Sequence, residues 1–265
     1  NGGQALVGFG CDQQVLEGLT GQAHARVLFD YSRQGLALLK QRIEQFQIDC
    51  QWRPGAADVA ISARQATGLQ RQAERMAALY DYPLQLWDQA QLQAQVASPR
   101  FIAGLFDANA GHLHPLRYVL GLARAARQLG VRIHEHSAVT RLEHGRQVRL
   151  HTAHGCITAP FAVIAGNALL EGIDPALEKR IMPVGTYVGA TPPLGAERAA
   201  GLIANDIAVA DVNWALDYFR LSADHRLLFG GMASYSALPP PGLQAAMTRR
   251  MPVSGMRWSP SPARR

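Results

Sequence analysis

The order of segments between residues 114 and 170 constrains the fold of this chain most strongly, because the hydrophobic periodicity there changes from helical to strand-like. Apolar residues recur at intervals of three and four from residue 116 to residue 129. Gly130 ends this pattern, which predicts an amphipathic helix. Pro115 lies in the first turn of the predicted helix, where proline is tolerated. Residues 131–134 then alternate apolar and polar side chains, and they predict a short strand.

Three short alternating segments follow, and they predict a small antiparallel meander at residues 138–142, 147–152 and 156–159. Gly145 lies in the first turn of this meander, where a tight hairpin requires a positive φ. Residues 161–165 form a continuous apolar run that ends at Gly166, which is the pattern of a strand buried on both faces of a parallel sheet. The sequence therefore predicts an α/β fold, whose ligands bind beyond the carboxyl ends of such strands.

The rest of the chain alternates between helical and strand-like patterns. Helices are predicted at residues 23–46, 63–80, 89–96 and 243–251, with Asp88 as the N-cap of the third. Strands are predicted at residues 48–52, 56–61, 84–87, 101–106, 181–190, 203–209, 214–221 and 226–229, with turns at residues 53–55 and 107–111. Strands of this kind beside the α/β unit predicted at residues 114–170 predict a second, mixed or antiparallel sheet that forms a substrate domain.

The composition argues against several classes of protein. The chain has 265 residues, 48% of them hydrophobic, and can therefore bury a large core. The net charge is +6, but the arginines are scattered and do not form the basic stripe expected of a nucleic-acid-binding protein. No apolar run reaches the length of about 18 residues that predicts a membrane span. Cys11, Cys50 and Cys156 are dispersed and odd in number, which predicts reduced thiols in a cytoplasmic protein.

Several weaker motifs are better explained by structural roles than by catalysis or ligand binding. Residues 8–10 supply the first two glycines of a GxGxxG motif, but Gln13 occupies the third glycine position, so an extended loop is favoured. Two histidine pairs, His112 with His114 and His134 with His136, have the spacing of partial metal sites. Neither pair has enough further ligands, so capping, packing or a solvated strand face is favoured and no metal is predicted. No hydrolase motif is present.

Tyr218 and Arg220 are candidate substrate-pocket residues because they lie two apart in a predicted strand and share one face. A phenol and a guanidinium on that face could bind a substrate that carries a carboxylate. Trp214 is four residues before Tyr218, so it would add an aromatic wall to the same face. The sequence alone favours the alternative, a core tyrosine with a surface arginine.

Six longer motifs resemble one known family. They are Asn-Gly-Gly-Gln at residues 1–4, Gly-His-Leu-His-Pro-Leu-Arg-Tyr at 111–118, Gly-Val-Arg-Ile-His-Glu at 130–135, Ala-Gly-Asn-Ala at 165–168, Arg-Ile-Met-Pro-Val at 180–184 and Leu-Asp-Tyr-Phe-Arg-Leu-Ser-Ala-Asp-His-Arg-Leu-Leu-Phe-Gly-Gly at 216–231. The chain resembles the FAD-dependent oxidoreductases of D-amino-acid-oxidase and glycine-oxidase type over roughly residues 1–250. Within this family it is most similar to the γ-glutamylputrescine oxidoreductase group.

The resemblance implies a flavoenzyme that transfers hydride from the carbon atom next to an amine to FAD and releases an imine. It also implies which residues bind the cofactor. The segment Asn1, Gly2, Gly3 and Gln4 would pass close to the flavin, Val139 would present its backbone to the adenine, and Ala165, Gly166 and Asn167 would lie near the phosphoribose. The substrate would be a small amine or amino acid.

The resemblance further implies two interleaved domains. We expect residues 1–47 and 98–172 to form a partial FAD-binding domain, residues 48–97 and 173–235 a substrate domain, and residues 236–265 an irregular or disordered tail. The family's GxGxxG loop and its C-terminal glycine-rich flavin segment have no counterpart here, so we expect the central part of a longer flavoenzyme, with weak FAD binding or none by this chain alone. Two alternatives stay open: a non-catalytic remnant that binds no flavin, and a basic protein that binds acidic partners.

Overall fold

The computed structural model of the chain describes residues 1–213, 216–235 and 238–251. The helices in this part are α1 (Gln13–Thr20), α2 (Gln22–Gln45), α3 (Ala63–Tyr80), α4 (Gln89–Gln95), α5 (Pro115–Gln128), α6 (Pro175–Glu178), α7 (Ala196–Leu202) and α8 (Leu243–Arg250). The strands are β1 (Gln4–Ala5), β2 (Arg53–Ala60), β3 (Gln85–Trp87), β4 (Ala103–His112), β5 (Val139–Glu143), β6 (Val148–Thr152), β7 (Gly155–Ala159), β8 (Gly185–Ala190), β9 (Ala208–Asp211), β10 (Tyr218–Leu221) and β11 (Leu227–Ser234). None of these helices is both long and apolar enough to cross a membrane.

A mixed eight-stranded sheet forms the centre of the structure, with the strand order β1-β4-β2-β9-β10-β11-β8 and with β3 paired to β4. Strands β2 and β9 are parallel, whereas the other pairs in this sheet are antiparallel. A separate antiparallel sheet contains β5, β6 and β7, so the meander predicted from the sequence is confirmed. The positive φ predicted for Gly145 in its first turn is wrong.

The largest buried cluster lies on one face of the eight-stranded sheet. It combines apolar side chains of the central strands with side chains of the helices that cover them, namely Val59, Val209, Phe219 and Phe229 with Leu92 of α4, Leu202 of α7 and Met247 of α8. Burial of this much apolar surface is the main force that holds the helices on the sheet.

The opposite face of the sheet carries Asp58, Tyr218 and Arg220, and we call it the polar face. Asp58 lies opposite Ala210, and Ala210 lies opposite Tyr218, so these three side chains point to the same side. Arg220 is two residues beyond Tyr218 on β10 and points to that side as well. At one end of the polar face, α3 packs Leu69 with sheet residues that include Ala60 and Leu105.

The predicted helix boundaries agree closely with the structure where local capping signals are strong. The Asp88 side chain accepts a hydrogen bond from the Gln91 N–H, and the Gln91 side chain accepts one from the Asp88 N–H, which is a complete capping box for α4. Pro115 occupies the first turn of α5, as predicted. These helices are confirmed because their caps and periodicity depend on neighbouring residues alone.

The predicted buried strand at residues 161–165 is wrong. This segment is irregular, and the side chains of Phe161 and Val163 are 87% and 91% exposed. A strand buried on both faces requires a neighbouring strand and covering helices, and no strand in the described part of the chain pairs with this segment. An apolar run indicates that a segment is suited to burial. It does not show that a neighbouring strand is present to pair with the segment.

Three other local predictions are also wrong. Residues 48–52 and 131–134 form no strand, and residues 107–111 form no turn but continue β4. Pairing of β4 with both β2 and β1 overrides the local turn chemistry of its asparagine and glycine residues. The turn predicted at residues 53–55 lies at the start of β2, where a register shift accommodates Gly55 at a φ of 97°.

The structure places parts of the two predicted domains in one sheet. Strand β4, from the segment assigned to the FAD-binding domain, pairs with β2, from the segment assigned to the substrate domain. The proposed boundaries between the two domains remain a prediction. In the segment assigned to the irregular tail, α8 is a helix with Met247 buried, and residues 252–265 lie outside the described residues.

Candidate functional site

The first four residues connect two distant parts of the eight-stranded sheet. The Gly3 carbonyl oxygen accepts a hydrogen bond of 2.8 Å from the Leu113 N–H, just beyond the end of β4. The Gly3 N–H donates to Oδ1 of Asn1 at 2.8 Å, and Nε2 of Gln4 donates to the Val209 carbonyl on β9 at 3.2 Å. The segment Asn1–Gln4 is thereby held on the sheet, although it is far in sequence from β9 and β10.

Arg220 holds the same segment from β10. Its Nε donates a hydrogen bond of 2.6 Å to the Gly2 carbonyl, and its Nη1 donates one of 3.0 Å to the Leu221 carbonyl. The residue is only 6% exposed, and this burial lowers the pKa of its guanidinium below the usual value. The alternative of a surface arginine is therefore wrong. No carboxylate of the described residues lies within ion-pair distance of Arg220, so the guanidinium is neutralised only by backbone dipoles and more distant charge.

Glycine is required at both central positions of the segment. A Cβ atom on Gly2 would overlap the Tyr218 ring. A Cβ atom on Gly3 would overlap the Leu113 carbonyl oxygen and lie 2.7 Å from Nη2 of Arg220, and Gly3 also has a φ of 81°. The close contact of bare backbone with Tyr218 and Arg220 explains why the sequence has two successive glycines here.

The Tyr218 ring lies over a third glycine. Tyr218 and Gly230 are directly opposite in the antiparallel pair of β10 and β11, and a Cβ atom on Gly230 would overlap the ring. Gly230 in turn lies opposite Val188 of β8, whose side chain is 46% exposed. Burial raises the pKa of Tyr218, so the phenol stays protonated and keeps its O–H donor at neutral pH.

Asp58 lies in the same cross-strand row as Tyr218, with Ala210 between them. Neighbouring strands are about 4.8 Å apart, so the Cα atoms of Asp58 and Tyr218 are separated by about 10 Å. Ala210, between them, has a small side chain and is buried. The carboxyl group of Asp58 has no hydrogen bond within the described residues. Burial, with the negative charges of Asp107 and Asp12, raises its pKa to about 6.

Sequence reasoning missed Asp58, although one signal was present. The residue is the single charged position inside the predicted strand at residues 56–61, and a carboxylate in a half-buried strand is unusual. Only the pairing of β2 with β9 and of β9 with β10 brings it into the row that contains Tyr218.

His112 lies beside the segment and forms part of its support. It is opposite Gln4 in the pair of β1 and β4, and its Nε2 lies 2.6 Å from the Asp206 carbonyl oxygen. Because a carbonyl oxygen only accepts, Nε2 must carry the hydrogen, and Nδ1 is a buried acceptor without a donor in the described part of the protein. Burial lowers the pKa of His112 below its usual range, so the ring is neutral at neutral pH.

His114 has a different role from His112. It is the N-cap of α5, where its Nδ1 accepts a hydrogen bond of 3.4 Å from the Arg117 N–H. The two histidines therefore have separate structural partners.

The structure does not bring all the predicted site residues together. Val139 begins β5 in the three-stranded sheet, and Ala165, Gly166 and Asn167 lie in the irregular segment that follows that sheet. Asn167 has a φ of 52°, which is the left-handed conformation of a turn. These residues lie outside the eight-stranded sheet, and their role in cofactor binding remains a prediction. Trp214 lies outside the described residues.

Comparison with known proteins gives a consistent result. A family model described as FAD dependent oxidoreductase matches residues 2–255. The γ-glutamylputrescine oxidoreductase of Escherichia coli (strain K12) is 38% identical over 252 residues, which are 95% of this chain and 59% of the relative. A probable oxidoreductase OrdL of Haemophilus influenzae is 37% identical over 242 residues, which are 88% of this chain and 56% of the relative. The chain thus spans somewhat more than half the length of these relatives.

Solved structures share the fold at low sequence identity. Glycine oxidase from Geobacillus kaustophilus superimposes with a TM-score of 0.67 at 16% identity, covering 97% of this chain and 69% of that chain. L-proline dehydrogenase from P. horikoshii superimposes with a TM-score of 0.68 at 16% identity, covering 91% of this chain and 64% of that chain. The predicted mixed α/β flavoprotein fold is confirmed by these likenesses.

Proposed function

This chain belongs to the family of FAD-dependent oxidoreductases, and from that premise we propose that it oxidises the carbon–nitrogen bond of an amine or amino acid to an imine. Within the structure, the single observation that best supports this proposal is the glycine segment Asn1–Gln4, fixed against Tyr218 and Arg220 on the polar face. FAD supplies the acceptor for the hydride when it is bound.

The residues of the segment are compatible with a cofactor that approaches the backbone closely. Gly2 and Gly3 have no side chains, and the segment is anchored to β4, β9 and β10 by backbone and side-chain hydrogen bonds. A rigid, side-chain-free backbone is what a flat ring system requires as a neighbour. We propose that Asn1, Gly2, Gly3 and Gln4 contact the flavin.

The part of the chain that the structure describes supplies no glycine-rich phosphate loop. The two glycines at residues 8–10 form an irregular stretch before α1, and Gln13 is the first residue of that helix. We propose that the flavin ring, rather than the pyrophosphate, is the part of FAD that these residues bind.

The polar face offers suitable groups for an amine substrate. The carboxylate of Asp58 and the phenol of Tyr218 lie in one row, and both can accept a hydrogen bond from an ammonium or amine group. We propose a γ-glutamylputrescine-like substrate, and similarity to the Escherichia coli enzyme supports this choice. A cytoplasmic location is proposed as well, because Cys11, Cys50 and Cys156 are all free thiols.

A titration with FAD tests the proposal. The purified chain should quench flavin fluorescence on binding, and γ-glutamylputrescine should bleach the visible flavin bands when oxygen is excluded. Gly3→Ala should weaken FAD binding about tenfold or more, because a Cβ atom at Gly3 would push the segment away from Leu113 and Arg220.

Gly10→Ala is the matched control, because a Cβ atom at Gly10 has no neighbour within 4 Å. It should bind FAD as the unchanged chain does. A chain that is folded but neither binds FAD nor reduces it with any amine would contradict the proposed function and favour the non-catalytic alternative.

A further inference from the structure

We propose that Arg220 is a positioning residue, which docks the glycine segment onto the polar face, and that it is not the receptor for a substrate carboxylate. This inference rests on the proposed function, since the segment matters for activity only where it borders the flavin. It revises the substrate-binding role that the sequence suggests for Arg220.

The first support for the inference comes from the hydrogen bonds that the Arg220 guanidinium donates. A guanidinium has five N–H donors in a fixed plane, and a carboxylate is bound best when two parallel donors are free to meet it. In this structure Nε is used by the Gly2 carbonyl at 2.6 Å, and Nη1 donates to the Leu221 carbonyl at 3.0 Å. The Nε edge of the plane is therefore occupied by the chain itself.

The remaining nitrogen is also enclosed by the segment. Nη2 of Arg220 would lie 2.7 Å from a Cβ atom on Gly3, so it is packed directly against the backbone there. The whole residue is only 6% exposed. A substrate carboxylate could reach the guanidinium only if the segment moved away from the sheet.

Tyr218 and Arg220 both contact Gly2. The Tyr218 ring fills the space that a Gly2 side chain would need, and Arg220 binds the carbonyl of the same residue. Leu113 holds the next residue, Gly3, from the end of β4. The segment is therefore held from the end of β4 and from β10, which are not neighbours in the sheet, and Gln4 adds a contact with β9. These contacts fix its distance from the polar face.

The two roles predict different consequences for a variant. If Arg220 bound a substrate carboxylate, its loss would lower kcat/KM only for substrates that carry a carboxylate. If it docks the segment, its loss should weaken oxidation of every amine to the same degree and should also loosen the backbone of residues 2–4 in the protein without flavin.

The experiment compares Arg220→Gln and Arg220→Lys with the unchanged chain. Hydrogen exchange of the peptide that contains residues 2–4 is measured by mass spectrometry without flavin. With FAD, kcat/KM is measured for γ-glutamylputrescine and for an alkyl diamine of similar length without a carboxylate. Arg249→Gln is the matched control, because Arg249 is an exposed arginine in α8, away from the segment.

For Arg220→Gln we expect faster exchange at residues 2–4 and a loss of kcat/KM of about 10- to 100-fold for both amines, because a charge-assisted hydrogen bond is removed. Arg220→Lys should lie between this variant and the unchanged chain, since an ammonium can replace one of the two contacts. The control should change neither quantity.

Unchanged exchange at residues 2–4, together with a loss confined to the carboxylate-bearing amine, would overturn the inference. If the unchanged chain oxidises neither amine, the proposed function fails, while the exchange measurement still decides whether Arg220 docks the segment. Should Arg220→Gln not fold, the exchange of Arg220→Lys gives the same decision, because that variant keeps the charge and most of the side-chain volume.

Discussion

Asp58 shows how the environment of a single residue can oppose folding. Its carboxyl group lies in a half-buried strand beside two other carboxylates, Asp107 and Asp12, and no hydrogen bond from the described residues compensates for this burial. Its pKa is therefore raised from 3.8 to about 6. The folded state holds this proton more tightly than the unfolded state, so ionisation of Asp58 makes the protein less stable.

The sign of this effect gives a pH-dependent prediction. The destabilisation is absent below about pH 4, develops as the pH rises through about 6, and is complete above that value. Asp58→Asn removes the ionisation, so near neutral pH it should increase the free energy of unfolding by about 1–3 kcal/mol. This gain in the free energy of unfolding should disappear below about pH 4. Denaturant unfolding of both proteins over a series of pH values measures it.

The surface residue Asp49 provides the control for Asp58. Its side chain is 79% exposed and pairs with Arg117. Asp49→Asn should change the free energy of unfolding by less than about 1 kcal/mol. A stability difference for Asp58→Asn that does not vary with pH would contradict the raised pKa.

Among the elements, helix α8 is attached to the sheet by both apolar and ionic contacts. Met247 is 4% exposed in the main core. Nε of Arg250 lies 3.0 Å from Oδ1 of Asp217, and Nη1 of Arg100 donates a hydrogen bond of 3.1 Å to the Arg250 carbonyl. Burial raises the pKa of Asp217, whereas the hydrogen bond and charge of Arg250 act to lower it. The arginine therefore stabilises a buried carboxylate.

Replacing Arg250 should release α8. In Arg250→Ala the basic partner left to the Asp217 carboxylate among the described residues is Arg100, at 3.9 Å, so we expect a loss of about 1–3 kcal/mol in the free energy of unfolding. Arg249→Ala changes the adjacent, exposed residue and should lose less than about 0.5 kcal/mol. Thermal and denaturant unfolding of the two variants measures the difference, and equal losses would mean that the ion pair contributes nothing.

Elements with local signals could be predicted from the sequence, and elements with distant partners could not. The boundaries of α3, residues 63–80, follow from apolar spacing and from the Ser62 cap. For β4 the sequence predicts a strand only as far as residue 106, because the asparagine and glycine residues that follow are typical of a turn. The rest of the strand depends on its pairing with β1 and β2. Distant pairing outweighs local propensity in such strands.

At the level of the whole molecule, the same limit applies to the candidate site. Strand alternation was enough to place Tyr218 and Arg220 on one face, as the structure shows. The partner of Arg220 is Gly2, at the other end of the chain, and no local pattern connects two residues so far apart. Asp58 likewise lies in the row of Tyr218 only through two pairings between distant strands, β2 with β9 and β9 with β10.

The segment at residues 161–165 offers a test that involves the whole chain. Its amides donate no hydrogen bond within the described part of the structure, whereas strand β6 is paired on both sides, with β5 and β7. Hydrogen exchange followed by mass spectrometry should therefore show residues 161–165 exchanging at about the rate of an unfolded peptide. The amides of β6 should exchange far more slowly.

Strand β6 serves as the internal control in the same spectra, so no second protein is needed. Slow exchange at residues 161–165 would show that the segment is hydrogen-bonded in solution, as the continuous apolar run predicts from the sequence. One partner that could supply such bonds is a second copy of the chain, which would add its strand edge to the segment. Exchange that slows as the protein concentration rises would identify that case, because only association between copies depends on concentration.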